Sequence, residues 1–200
     1  LFALIKPSRM HSSQRAKEAL SRMKNIMSKL SSLFRVMMAY LHVWIVISSS
    51  LLVCASPWIF MGRRIPDNAG FWDYLHVYLG FACAVLGILF LLSNTLHGKW
   101  HQYFGWLAGD WAQLKQDMLG LTKGKFPVAG GKGLFSAIEG IGMLLLVATG
   151  ITGVAWLLFQ GTPTAMAWRG YHQIFAQAFI GFLIVHLVLA ASHILDFIRQ

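Results

Sequence analysis

The charged residues of this chain are bunched, and between the bunches lie four long uncharged stretches. The first covers residues 36–61, between Arg35 and Arg63, and the second covers 74–98, between Asp73 and Lys99. The third follows Glu139 and continues to about Phe159, and the fourth lies between Arg169 and Asp196. Each is long enough to cross a hydrocarbon layer of about 30 Å, which takes about 18 or more apolar residues. Inside hydrocarbon every backbone polar group needs an internal partner, so each stretch is expected to be a helix. Ser48, Ser49, Ser50, Gly80, Gly87, Gly150, Gly153 and Gly181 lie within them, as small residues that let helices or a flat ligand come close. Pro57 is expected to kink the end of the first helix.

A different pattern precedes the first stretch. Ala16, Ala19, Leu20, Met23, Ile26, Met27, Leu30 and Leu33 recur at three- and four-residue spacing, with a basic opposite face. That is an amphipathic helix suited to an anionic membrane surface. An organellar transit peptide is the rival reading, since the segment is rich in Arg and Ser and Glu18 is its lone acid. The chain begins with Leu1 rather than Met, so residues upstream of it are expected. Between the second and third stretches, Trp100, Trp106 and Trp111 lie among polar residues, which suits a short helix at headgroup depth. The expected fold class is therefore all-α, a membrane four-helix bundle with a basic amphipathic N-terminal helix and an interfacial helix between the second and third crossings. The expected division is a basic segment, 1–34, and a four-helix transmembrane domain, 35–200.

Composition agrees: 56% of residues are hydrophobic and only 12% charged, about half the charged share usual in soluble domains. A net charge of +10 would otherwise invite nucleic acid. Its placement argues for a membrane instead, with lipid as the partner and no nucleic acid. All the Lys and Arg residues except Arg63, Arg64 and Arg169 fall in the N-terminal segment, the long loop or the C-terminal tail. By the positive-inside rule both termini are cytoplasmic. Cys54 and Cys83 lack any metal-binding or haem-attachment spacing and read as small packing residues.

Ionisable side chains inside a membrane are costly and mark candidate sites. His42 falls in the first stretch, His76 at the start of the second, and His172 and His186 in the fourth. At 1.5 Å per residue, His42 lies roughly 10 Å to the cytoplasmic side of its segment's midpoint. His76 and His172 lie roughly 15 Å to the outer side of theirs. His186 lies about 5 Å to the inner side. Topology thus pairs His76 with His172 at one level and His42 with His186 at the other. The fourteen residues between His172 and His186 are nearly four turns, so both point from one helix face, about 21 Å apart. Two imidazoles at each of two depths fit the axial ligation of two b-type haems, with no open iron position. His193 lies seven residues beyond His186 on the same face, within reach of a haem propionate or a quinone. His97 and His101 sit near the cytoplasmic ends and His11 in the basic tail, with no assigned role.

These residues occur in segments that resemble a known family. "YLHVW" surrounds His42, "DYLHVYLG" His76, and "YHQIFAQAFIGFLIVH" spans His172 and His186. "GKFPVAGGK" precedes the third helix. Over about residues 34–198 the chain resembles the cytochrome b (gamma) subunits of membrane-bound formate dehydrogenases, and the wider group that includes the hydrogenase and thiosulfate-reductase cytochrome b subunits. The resemblance implies an outer haem between His76 and His172 and an inner haem between His42 and His186. It also implies a quinone pocket around Lys125 to Gly131, including Gly130, and the inner end of the fourth helix. Where the family usually has Asn after the aromatic residue, this chain has Pro127 and Val128.

The implied function is a di-haem b electron-transfer subunit of a respiratory oxidoreductase complex in the bacterial inner membrane. It would link an iron–sulfur or cytochrome c redox subunit at the outer face to menaquinone or ubiquinone. Two other readings stay open. One is a self-sufficient cytochrome b that passes electrons from superoxide to quinone. The other, of a different class, is a haem-free membrane anchor or proton-coupled transporter.

Overall fold

The computed structural model describes residues 8–96, 99–125 and 131–199, without the side chains of 8–17, 19, 33–34, 37–38 and 193–199. Among the described residues it is all-α: α1 (Ser8–Ala55), α2 (Phe71–Leu96), α3 (Trp100–Phe104), α4 (Ala112–Leu121), α5 (Leu134–Leu158) and α6 (Thr164–Arg199). Two 3-10 turns, Ser56–Trp58 and Gly105–Ala108, complete it. Four segments are long and apolar enough to cross a membrane: Ala39–Trp58, Phe71–Leu96, Leu134–Leu158 and Thr164–Ser192. Large apolar side chains such as Ile47, Phe81, Ile151 and Leu187 face outward from these segments. Such faces suit lipid rather than water as solvent.

The chain falls into two compact units, Leu1–His42 and Val43–Gln200. In the first, Leu20, Met23, Met27 and Leu30 are exposed among basic residues. Ser28, Ser31 and Ser32 donate to carbonyls three residues back, so these hydroxyls satisfy themselves within the helix. No helical break separates the basic segment from the first crossing, because both belong to α1.

The second unit contains the bundle. Small residues bring α5 against its neighbours: Gly150 sits where a Cβ would lie 2.6 Å from the Ala84 Cβ of α2, and Phe182 of α6 packs onto Gly142. Gly140 packs in the same way on the Tyr103 carbonyl of α3. In a membrane such close approach replaces the hydrophobic effect as the source of helix association. Asp117 ties α4 to the start of α5 by accepting from the Leu134 N–H at 2.8 Å.

Three borders differ from those read off the charge pattern. Arg169 lies inside the fourth segment, Glu139 inside the third and Asp73 in the first turn of α2. Pro57 does not kink α1; it sits in the 3-10 turn that ends it, where its missing N–H costs nothing.

The two short connections, residues 59–70 and 159–163, meet at one end of the bundle, called here the short-loop end. The buried Asp73 carboxylate accepts from the Phe60 N–H at 3.2 Å and the Gly70 N–H at 3.0 Å. The Trp156 indole N–H donates to the Gly62 carbonyl at 3.0 Å, and the Gly161 N–H to the Arg63 carbonyl at 2.9 Å. Gly161 has φ 83°, a left-handed conformation that glycine adopts without steric cost. Met61, Trp156 and Ala165 are buried beneath this strap and form the core of that end. Asp73→Ala is expected to cost about 3 kcal/mol, because two N–H groups lose a charged acceptor. Thermal unfolding in detergent checks it, with Asp73→Asn falling between the two proteins.

Candidate haem site

A cavity of about 390 Å³ opens between the helices under the short-loop strap. Its size falls within the range of about 300–1,000 Å³ typical of small-molecule and cofactor sites. The walls are mostly apolar, and His76 of α2 and His172 of α6 both line it.

The two imidazoles lie edge-on to each other. Their ring centroids are 6.0 Å apart and their planes perpendicular. Two imidazoles on one metal ion, each about 2.0–2.1 Å from it, have centroids roughly 6 Å apart once the rings' own radii are added. The His172 Nδ1 lies 2.9 Å from the Thr149 carbonyl. A carbonyl only accepts, so Nδ1 carries the proton and Nε2 keeps its lone pair for a metal. The bond is possible because Gly153, four residues after Thr149, has no side chain to cover that carbonyl. A Cβ there would lie 3.1 Å from His172 Nδ1 and 3.2 Å from Cε1. The sequence marks Gly153 as one of several small residues suited to close approach of a helix or a flat ligand, without tying it to His172. His76 Nδ1 is buried and has no hydrogen-bond partner. An apolar cavity, an imidazole polarised through Nδ1 and a second imidazole 6.0 Å away fit a bis-imidazole haem.

The remaining expected residues are placed as follows. His186 lies in the same helix as His172, with its ring 5.4 Å from that of Phe182 and 5.9 Å from that of Phe135. His42 is the last residue of the first unit. Gly80 lines the cavity, and a Cβ at Gly181 would meet nothing within 4 Å. Lys125 is exposed and donates its backbone N–H to the Gly120 carbonyl. His97, Gly130 and the His193 side chain fall outside the described residues. His101 is exposed on α3. Cys83 is buried and Cys54 exposed, both as free thiols. Beside α3, burial raises the Tyr103 hydroxyl above its usual pKa, and the Glu139 carboxylate adds to this.

An all-α membrane bundle with two adjacent imidazoles lining an apolar cavity has the features of a membrane haem protein. Residues 33–196, most of the chain, match the family described as prokaryotic cytochrome b561, and the chain belongs to that family. It is a multi-pass protein of a bacterial membrane and a haem b electron-transfer protein. Neither a curated protein nor a solved structure matches the chain.

Proposed function

We propose that this protein is a di-haem b subunit that carries electrons between a redox partner at the short-loop end and the membrane quinone pool at the opposite end. The approach of His76 and His172 in the cavity wall, at 6.0 Å with His172 Nδ1 bonded to Thr149, carries the proposal. In this reading these two side chains hold one haem, and His42 and His186 hold the second. His172 and His186 share α6 and stand about 21 Å apart along its axis, so one helix spans the electron path.

Each bound haem supplies one-electron transfer at its iron. The apolar walls would exclude water, and the Thr149 carbonyl would fix the orientation of the His172 imidazole that would hold the haem with His76. The Thr149 carbonyl makes His172 a stronger donor by drawing on its Nδ1 proton, which favours the oxidised iron. The two short connections that form the strap are too small to form a catalytic domain, which supports dependence on a partner for substrate chemistry. The basic long loop and tail support a cytoplasmic placement of both termini, with quinone chemistry near Lys125 and the inner end of α6. His193 and Gly130 belong to the same proposed region.

A stopped-flow experiment tests the link to quinone. Short-chain menaquinol and ubiquinol analogues are mixed anaerobically with the oxidised protein in proteoliposomes, and the haem b bands are followed. Reduction by at least one quinol within milliseconds to seconds is expected. Haems that neither quinol reduces, and that neither quinone reoxidises, would remove the quinone from the proposal. Affinity purification from the native membrane is expected to bring down a redox subunit in near-equal amount.

A further inference from the structure

Arg169 is a cation inside a membrane-crossing segment, five residues from its Thr164 start and one turn before His172. It lines the cavity together with Gln173 and Gln177. The three stand at four-residue steps, so they form one polar stripe down α6, beside the face that carries His172. The rest of the cavity wall is mostly apolar. Charged and amide side chains are expensive at this depth and normally have polar partners. Among the described residues no carboxylate is paired with Arg169. Asp73, the acid in the neighbouring turn of α2, spends its oxygens on the Phe60 and Gly70 N–H groups. Arg169 is half-buried and Gln173 and Gln177 are exposed, and all three border the cavity, so an occupant with an anionic edge would meet a guanidinium there.

We propose that Arg169, with Gln173 beside it, is the carboxylate-binding subsite of this cavity and anchors the propionates of the haem held by His76 and His172. The inference rests on the haem reading above and adds an orientation: the carboxylate edge of the macrocycle points to the short-loop end. A planar guanidinium matches a carboxylate through two parallel N–H bonds, which a lysine replaces only as a point charge. Arg169 is a positioning residue and also tunes potential. Its positive charge offsets carboxylate charge near the iron, and without it the ferric state is favoured. An anionic lipid headgroup would offer Arg169 the same chemistry from another source.

The test compares wild type, Arg169→Gln and Arg169→Lys as purified full-length holoproteins. The readouts are haem content, redox titration and the propionate bending mode in resonance Raman spectra. His172→Ala identifies which signals belong to this haem. Arg169→Gln is expected to shift the midpoint potential of this haem downward and move its propionate mode, and Arg169→Lys to restore most of both. Loss of this haem from Arg169→Gln but not from Arg169→Lys also supports the subsite, since charge alone separates them. An unchanged potential and mode in Arg169→Gln would overturn it, as would equal changes or equal haem loss in both variants. A changed potential with an unmoved propionate mode assigns Arg169 to lipid and overturns it too. Wild-type protein without haem would instead remove the underlying haem reading.

Discussion

His172→Ala is expected to cut the haem content of the purified protein by half, from two haem b per chain to one. The mutation removes one of the two imidazoles at the cavity and leaves the Thr149 carbonyl without its N–H donor. His76 alone cannot complete a six-coordinate iron. Any haem that remains at this level becomes five-coordinate, high-spin and able to bind carbon monoxide. The ring contributes to one wall of a cavity rather than to the buried core of the short-loop end. The bundle is therefore expected to stay folded, with helical circular dichroism near wild type. Haem quantification by pyridine haemochrome checks the result. Retention of two low-spin haems would show that His172 is not a ligand.

Gly153→Val is expected to have nearly the same effect without touching a ligand. A lone Cβ at Gly153 lies 3.1 Å from His172 Nδ1, so Gly153→Ala asks the ring to move by only a few tenths of an ångström. The two γ-carbons of valine need room that the imidazole already occupies. Either the ring rotates away from the Thr149 carbonyl or α5 and α6 separate, and overpacking of this kind typically costs about 1–3 kcal/mol. Both responses spoil the alignment of His172 with His76. The expected order of haem retention is wild type, then Gly153→Ala close behind, then Gly153→Val far below. Optical spectra of the three proteins, normalised to chain concentration, decide it. Equal retention in all three would show that His172 does not depend on close contact with α5.

Much of this arrangement is legible in the residues themselves. Four crossings follow from uncharged length, because an apolar run this long satisfies its own backbone polar groups in hydrocarbon as a helix. The common face of His172 and His186 follows from fourteen-residue spacing on a continuous helix, and α6 is continuous across both. The meeting of His76 with His172 follows from depth once the topology is assumed.

What was hidden depends on how one helix is rotated and shifted against another. Thr149 and Gly153 are ordinary transmembrane residues until α5 is set beside α6. Then one supplies a carbonyl to His172 and the other clears the way to it. The charged residues misled in a different manner. Taking them as borders of the crossings put Arg169, Glu139 and Asp73 outside, whereas the helices run past all three. A charge is tolerated inside a span when it has a partner or faces a cavity. Asp73 has two backbone N–H groups and Arg169 has the cavity. Periodicity detects neither circumstance.

In the proposed function, paired imidazoles at two levels hold two haems in this one chain. Electron paramagnetic resonance of the oxidised wild-type protein, with haem counted in the same sample, tests it most directly. Two haem b per chain are expected, both low-spin and inert to carbon monoxide. The signal from the His76–His172 site should carry the strong anisotropy of perpendicular axial rings. A single haem, none, or a high-spin iron open to carbon monoxide in the intact protein would contradict it.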